Sequence, residues 1–160
     1  MKGTNTSSLL TPAQLHHIGS TLLRIPHIRR IRFASKGLCV SPSRTLDPHD
    51  NWTAALISVV QLGRSLGKHV ALHTHFNHVN EFTWVSREAA QRLMEAGVTV
   101  RNQSVLLKGV NDSVESMALL LRELADSAII PVRCPHSVLL ERPSNRTNNT
   151  AQYLVLHLST

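Results

Sequence analysis

Two short apolar runs with a helical stretch between them set the strongest limit on what this chain can fold into. The runs are Lys68 to Leu72 and Gly97 to Arg101. Between them, Ser86 to Ala96 reads as a helix, with Ser86 as its N-cap and Gly97 as its stop. Each run ends in a polar cluster: His73-Thr74-His75-Phe76-Asn77-His78 after the first, Asn102-Gln103-Ser104 after the second. Strand, helix, strand with polar groups at the far strand ends is how a parallel α/β protein places a site.

The flanking sequence extends the same alternation. Residues 1–10 are small and polar and are expected to be disordered. Thr11-Pro12 is a cap followed by a first-turn proline. Leu15, Ile18, Leu22 and Ile25 then recur at helical spacing, predicting a helix from Thr11 to about Arg24 that Pro26 ends. Ile28 to Phe33 is the first strand, and Ala34 to Pro48 a loop. A second helix opens at Asp47-Pro48 and runs to Gly67. Val70 to His73 is the second strand and Val98 to Leu106 the third. A turn at Gly109 to Asp112 leads to a helix from Ser113 to Ser127, and Ile129 to Val132 is a fourth strand.

That order predicts an α/β fold: a barrel segment or a doubly wound sheet, with parallel strands joined by right-handed helical crossovers. No Gly-x-Gly-x-x-Gly follows the first strand, so a dinucleotide fold has no support. Residues 11–134 form the expected domain. Residues 135–160 read as an irregular tail, in which Gln152 to Leu158 is a candidate terminal strand. An open parallel edge exposes unpaired backbone groups and invites self-association.

The chain has 160 residues and a formal charge of +7, with Arg24, Arg29, Arg30, Arg32 and Lys36 in one basic run. Such a run can attract nucleic acid, but these arginines alternate with Ile28, Ile31 and Phe33 as on a strand, and no aromatic stacking platform accompanies them. Nucleic acid is therefore disfavoured as a partner. No apolar run reaches the ~18–20 residues that span a bilayer. Cys39 and Cys134 lie far apart and read as buried free thiols, which fits a reducing compartment, the cytoplasm. The basic, acid-poor start is also similar to a mitochondrial transit peptide.

The residues alone leave the chemistry open. His73 and His75 alternate along one strand face, and with His78, Glu81 or Asp112 they could hold a divalent metal for hydrolysis. Alternatively, His75, Asn77, His78 and Gln103 only satisfy loop backbone groups. Gln103 and Ser104 are poor metal ligands. Neutral two-way hydrogen bonders at adjacent strand ends suit a purine or a ribose better. Ser104 has no base partner that would make it a nucleophile.

At these residues the sequence resembles a known family. The segments Thr74-His75-Phe76-Asn77-His78-Val79-Asn80-Glu81, Glu95-Ala96-Gly97-Val98 and Asn102 to Asp112 resemble the lysine 2,3-aminomutases, which are radical S-adenosylmethionine enzymes. Ile25-Pro26-His27-Ile28, Arg32, Ser35 and Pro42-Ser43-Arg44 are similar too, so the likeness covers about residues 23–131. It implies a partial (β/α) barrel of about four parallel strands with outer helices, and three cofactors: S-adenosylmethionine, an iron–sulfur cluster and pyridoxal phosphate. The implied reaction moves an amino group between adjacent carbons of a small amino acid. By position, His75 and Gln103 match residues that contact S-adenosylmethionine, and Arg32, Ser35 and Asn77 match strand-end positions near it.

The departures from the family pattern matter. Its Cys-x-x-x-Cys-x-x-Cys cluster motif and its pyridoxal-binding lysine segment have no counterpart here, and no matching substrate aspartate follows Pro131. Three thiolates are needed to hold such a cluster. The expectation is a fragment that does not catalyse alone, against the alternatives of a non-catalytic binding remnant and a histidine-ligated metal hydrolase.

Overall fold

The structure is a computed structural model that describes residues 10–132 and 155–159. Cys134 and most of the tail lie outside the described residues. Helix α1 is Pro12–Arg24. Thr11 caps it in a reciprocal box, accepting from the Gln14 backbone while the Gln14 side chain accepts from the Thr11 backbone. That satisfies two of the backbone groups a helix start leaves orphaned. At the other end of α1, the Lys68 ammonium donates to Leu23 O and Ile25 O, both at 2.7 Å. A cation on the last carbonyls of a helix also opposes its dipole.

Strand β1 is Arg30–Ala34, two residues later than the hydrophobic run suggests. Ile28 is buried, but its N–H closes a turn onto Ile25 O at 3.2 Å and does not join the ladder. The expected loop holds two single-turn helices, α2 (Gly37–Val40) and α3 (Ser43–Leu46). Helix α4 is Trp52–Ser65 and does not start at Asp47-Pro48. The Asp47 carboxylate instead accepts from His49 N, and Asp50 accepts from Trp52 N at 2.9 Å.

Strand β2 (His69–Thr74) is followed by a 3-10 turn, Val79–Glu81, and by α5, Trp84–Glu95. Thr83, not Ser86, is the N-cap of α5. Ser86 is the third residue of the helix, and its hydroxyl accepts from Thr83 N at 2.8 Å. Gly97 ends the helix with a φ of 76°, a left-handed conformation that glycine adopts without strain. Then come β3 (Thr99–Gln103), α6 (Val114–Asp126) capped by Ser113, and β4 (Ile130–Val132).

The sheet order is β4-β3-β2-β1, all parallel, with β5 (Val155–Ser159) antiparallel on the outer side of β1. Each parallel strand lies beside its sequence neighbour, so right-handed crossovers put every helix on the same face. Among the described residues the order of the parallel strands has no reversal of the kind a doubly wound sheet shows, which is consistent with a barrel segment. The terminal strand, expected over Gln152 to Leu158, covers the outer edge of β1. Beyond β4 the described residues supply no neighbour.

Register divides the sheet into two faces. Ile31 pairs with Val70, and Phe33 with Leu72, which pairs in turn with Val100. These side chains face the helices and are buried with Leu56, Val59, Leu93, Leu120 and Leu124. The contact of α1 with α4 depends on Gly19, where a Cβ would stand 2.5 Å from Val59 Cγ1. The opposite face carries Arg30, Arg32, His69, Ala71, His73, Arg101 and Gln103. No helix among the described residues is long and apolar enough to cross a membrane.

Candidate functional site

The polar clusters meet at the carboxyl ends of β2 and β3. His75 Nδ1 lies 3.2 Å from Gln103 O. A carbonyl can only accept, so the ring nitrogen donates, and in the neutral ring Nε2 is left as an acceptor. The Gln103 carboxamide makes no hydrogen bond to another described residue. A donor–acceptor pair is therefore presented from two adjacent strand ends.

Beneath it, a second set of residues locks the two loops together. Buried Asn102 accepts from Phe76 N at 2.6 Å and donates to Phe76 O at 2.9 Å, a two-way clasp across β2 and β3. Ser104 Oγ also donates to Phe76 O at 2.9 Å. Asn77 Oδ1 accepts from Val105 N at 2.9 Å, and Asn111 donates from its amide to Asn77 O at 2.7 Å and Val105 O at 2.9 Å. Phe76 and Phe82 stack with ring centroids 4.0 Å apart and anchor the loop in the core. Buried polar groups satisfied in this way give rigidity and one loop geometry.

The five residues singled out from sequence therefore separate. His75 and Gln103 come together. Asn77 holds the β3 loop, so it supports the site without facing it. Ser35 continues the ladder through its N–H to His73 O at 2.8 Å, while its hydroxyl accepts from Gly37 N at 3.1 Å. It lies on the helix side of β1, beside a cavity of about 20 Å³ that holds no more than one water. Arg32 stands lower, in register with Ala71, on the same face as His75. Asn102 and Asn111, which do most of the locking, were visible in the sequence only as members of a polar cluster and a turn.

The suggested metal ligands are also occupied elsewhere. His78 Nδ1 accepts from Asn80 N at 3.2 Å, and Asp112 accepts from Gly109 N at 2.9 Å. Glu81 accepts from Cys39 Sγ at 2.8 Å and from Asn77 N at 3.3 Å. No group of three such side chains that could hold a metal ion converges among the described residues. Burial first, and then the hydrogen bond and charge of Glu81, push the half-buried Cys39 thiol up to about 12, so it stays protonated.

No family model matches the chain. Curated relatives do. An L-lysine 2,3-aminomutase of Clostridium subterminale is 37% identical over 136 residues, covering 83% of this chain and 30% of the relative. That of Escherichia coli (strain K12) is 36% identical over 118 residues, covering 74% and 32%. The Bacillus subtilis (strain 168) enzyme is 36% identical over 125 residues, covering 77% and 24%. This chain resembles the lysine 2,3-aminomutase family. It spans about a third or less of the length of the aminomutases it matches, and the matched part includes the strand ends described here.

Proposed function

We propose that the strand ends bearing His75 and Gln103 bind S-adenosylmethionine, as one wall of an aminomutase-type radical enzyme acting on lysine or a related amino acid. The observation that carries this reading is the pairing of His75 Nδ1 with Gln103 O at 3.2 Å. It leaves the other ring nitrogen of His75, and a Gln103 carboxamide that bonds no described residue, at adjacent strand ends, and both are neutral groups suited to a nucleoside. The aminomutase likeness supports S-adenosylmethionine as that nucleoside. In such an enzyme S-adenosylmethionine with a reduced cluster supplies radical chemistry, and pyridoxal phosphate holds the migrating amino group.

The donor set here suits the first of these groups and not the cluster. The 160 residues contain two cysteines, and the described one, Cys39, is a protonated thiol hydrogen-bonded to Glu81. Three thiolates cannot be assembled from them, so no radical step is assigned to these residues alone. Their part is to bind and orient the nucleoside end of the cofactor while the Asn77–Asn102–Asn111 lock fixes the loops.

Calorimetric titration with S-adenosylmethionine tests the binding reading. Saturable binding is expected, weakened about tenfold or more by Gln103→Ala, as when a polar ligand group loses its partner. Reconstitution with iron and sulfide tests the rest, and a cluster absorbance with cofactor cleavage would overturn it. A second reading, a non-catalytic remnant that self-associates, is favoured by β4, whose Ile130 is 50% exposed at the edge of the described sheet. Concentration-dependent dimerisation without cofactor affinity would support that reading instead.

A further inference from the structure

We propose that the inner face of the sheet, below the strand ends, is a binding site for a small multivalent oxyanion, a di- or triphosphate or a polycarboxylate. Arg30, Arg32, His69, Ala71 and Arg101 line a single cavity of about 230 Å³ there. In a closed (β/α) barrel these inward positions are filled by layers of branched apolar side chains. Here three guanidiniums from β1 and β3 take those positions around Ala71, whose small side chain leaves the space open.

The charges are not neutralised within the described structure. The described ion pairs are Arg44 with Asp50 and Arg87 with Glu123, and neither reaches this face. Arg101 Nε is buried and has no hydrogen-bond partner among the described residues. A buried guanidinium donor without an acceptor costs free energy that a bound oxyanion would recover. The guanidinium fork matches phosphate and carboxylate geometry two bonds at a time.

Burial first, and then the charges of Arg101, Arg30, Arg32 and Arg64, hold the His69 ring below its usual imidazolium range. That places several positive fields in one small volume. The volume falls below the ~300–1,000 Å³ of pockets for drug-sized ligands, and among the described residues no Phe, Tyr or Trp lines it for a nucleobase to stack on. A compact anion fits both facts.

The site is separate from the proposed cofactor wall. Arg30 and His69 begin β1 and β2, whereas His75 and Gln103 stand past β2 and at the end of β3. Calorimetry on the full chain at fixed ionic strength, with inorganic pyrophosphate in one arm and citrate in the other, tests the proposal. At least one anion should bind saturably, and which arm is tighter tells phosphate from carboxylate chemistry. Arg101→Gln and Arg30→Gln should each weaken binding about tenfold or more. Arg122→Gln, an exposed charge on α6, should leave it unchanged.

Saturation by neither anion would overturn the site. So would an Arg122→Gln loss equal to that of Arg101→Gln, because the attraction would then belong to the net charge. Thermal melts of each variant separate lost binding from lost fold. An S-adenosylmethionine titration of the same variants reports on the strand ends independently.

Discussion

The two faces of the parallel sheet answer to different physics. On the helix side, Ile31, Phe33, Val70, Leu72 and Val100 form one sealed layer with α1, α4, α5 and α6. On the other side, the same strands present Arg30, Arg32, His69, Arg101 and Gln103, residue for residue in alternation with the first set. A period of two places stability on one face and chemistry on the other. The strands can therefore carry unusual charge without loss of their core.

The contrast predicts unequal costs. Phe33→Ala, which empties a fully buried site, should destabilise by about 3–5 kcal/mol in chemical denaturation. Next comes Asn102→Ala, which orphans Phe76 N, leaves Phe76 O with the Ser104 hydroxyl alone, and should cost about 1–3 kcal/mol for the N–H left unpaired. It should also loosen the β2 and β3 loops, read as faster amide exchange at Phe76. Arg101→Leu, on the other face, should change stability by no more than about 0.5 kcal/mol or raise it. A loss comparable to that of Phe33→Ala would break the division between faces.

The subtlest expectation concerns His69. Its folded pKa is depressed, so the unfolded chain takes up the proton first as pH falls below the ordinary value of 6.5. Stability contributed by this group is present above that pH and declines as pH drops through the folded value. Arg101→Gln removes the largest of the charges acting on it and should raise the His69 pKa towards 6.5 in an NMR titration. No change would mean that the Arg101 charge does not contribute to it.

Local signals were the legible ones. Thr11-Pro12 marked α1 to the residue, because a cap and a first-turn proline act within one turn. The alternation of strands and helices, and with it the parallel sheet, followed from hydrophobic period. Polar residues near helix starts misled at Asp47-Pro48, where the carboxylate closes a turn onto His49, and at Ser86, which answers the Thr83 cap from the third helical position. The helices α2 and α3 were invisible because four residues carry no period.

At the site, the meeting of His75 and Gln103 was readable as two polar strand ends. The clasp of Asn102 on Phe76 spans 26 residues of sequence, and no local pattern announces it. Ser35 and Arg32 were grouped with the site by the family resemblance; Ser35 turns to the helix side and Arg32 stands lower on the sheet.

The strand ends, and not the sheet as a whole, are proposed to form the cofactor wall. An amide-resolved NMR titration with S-adenosylmethionine tests it most directly. Saturable shifts should concentrate at His75, Phe76, Gln103 and Ser104, with Arg30, His69 and the outer helices unmoved. Absence of shifts, or shifts centred on Arg30 and His69 with the strand ends still, would contradict it.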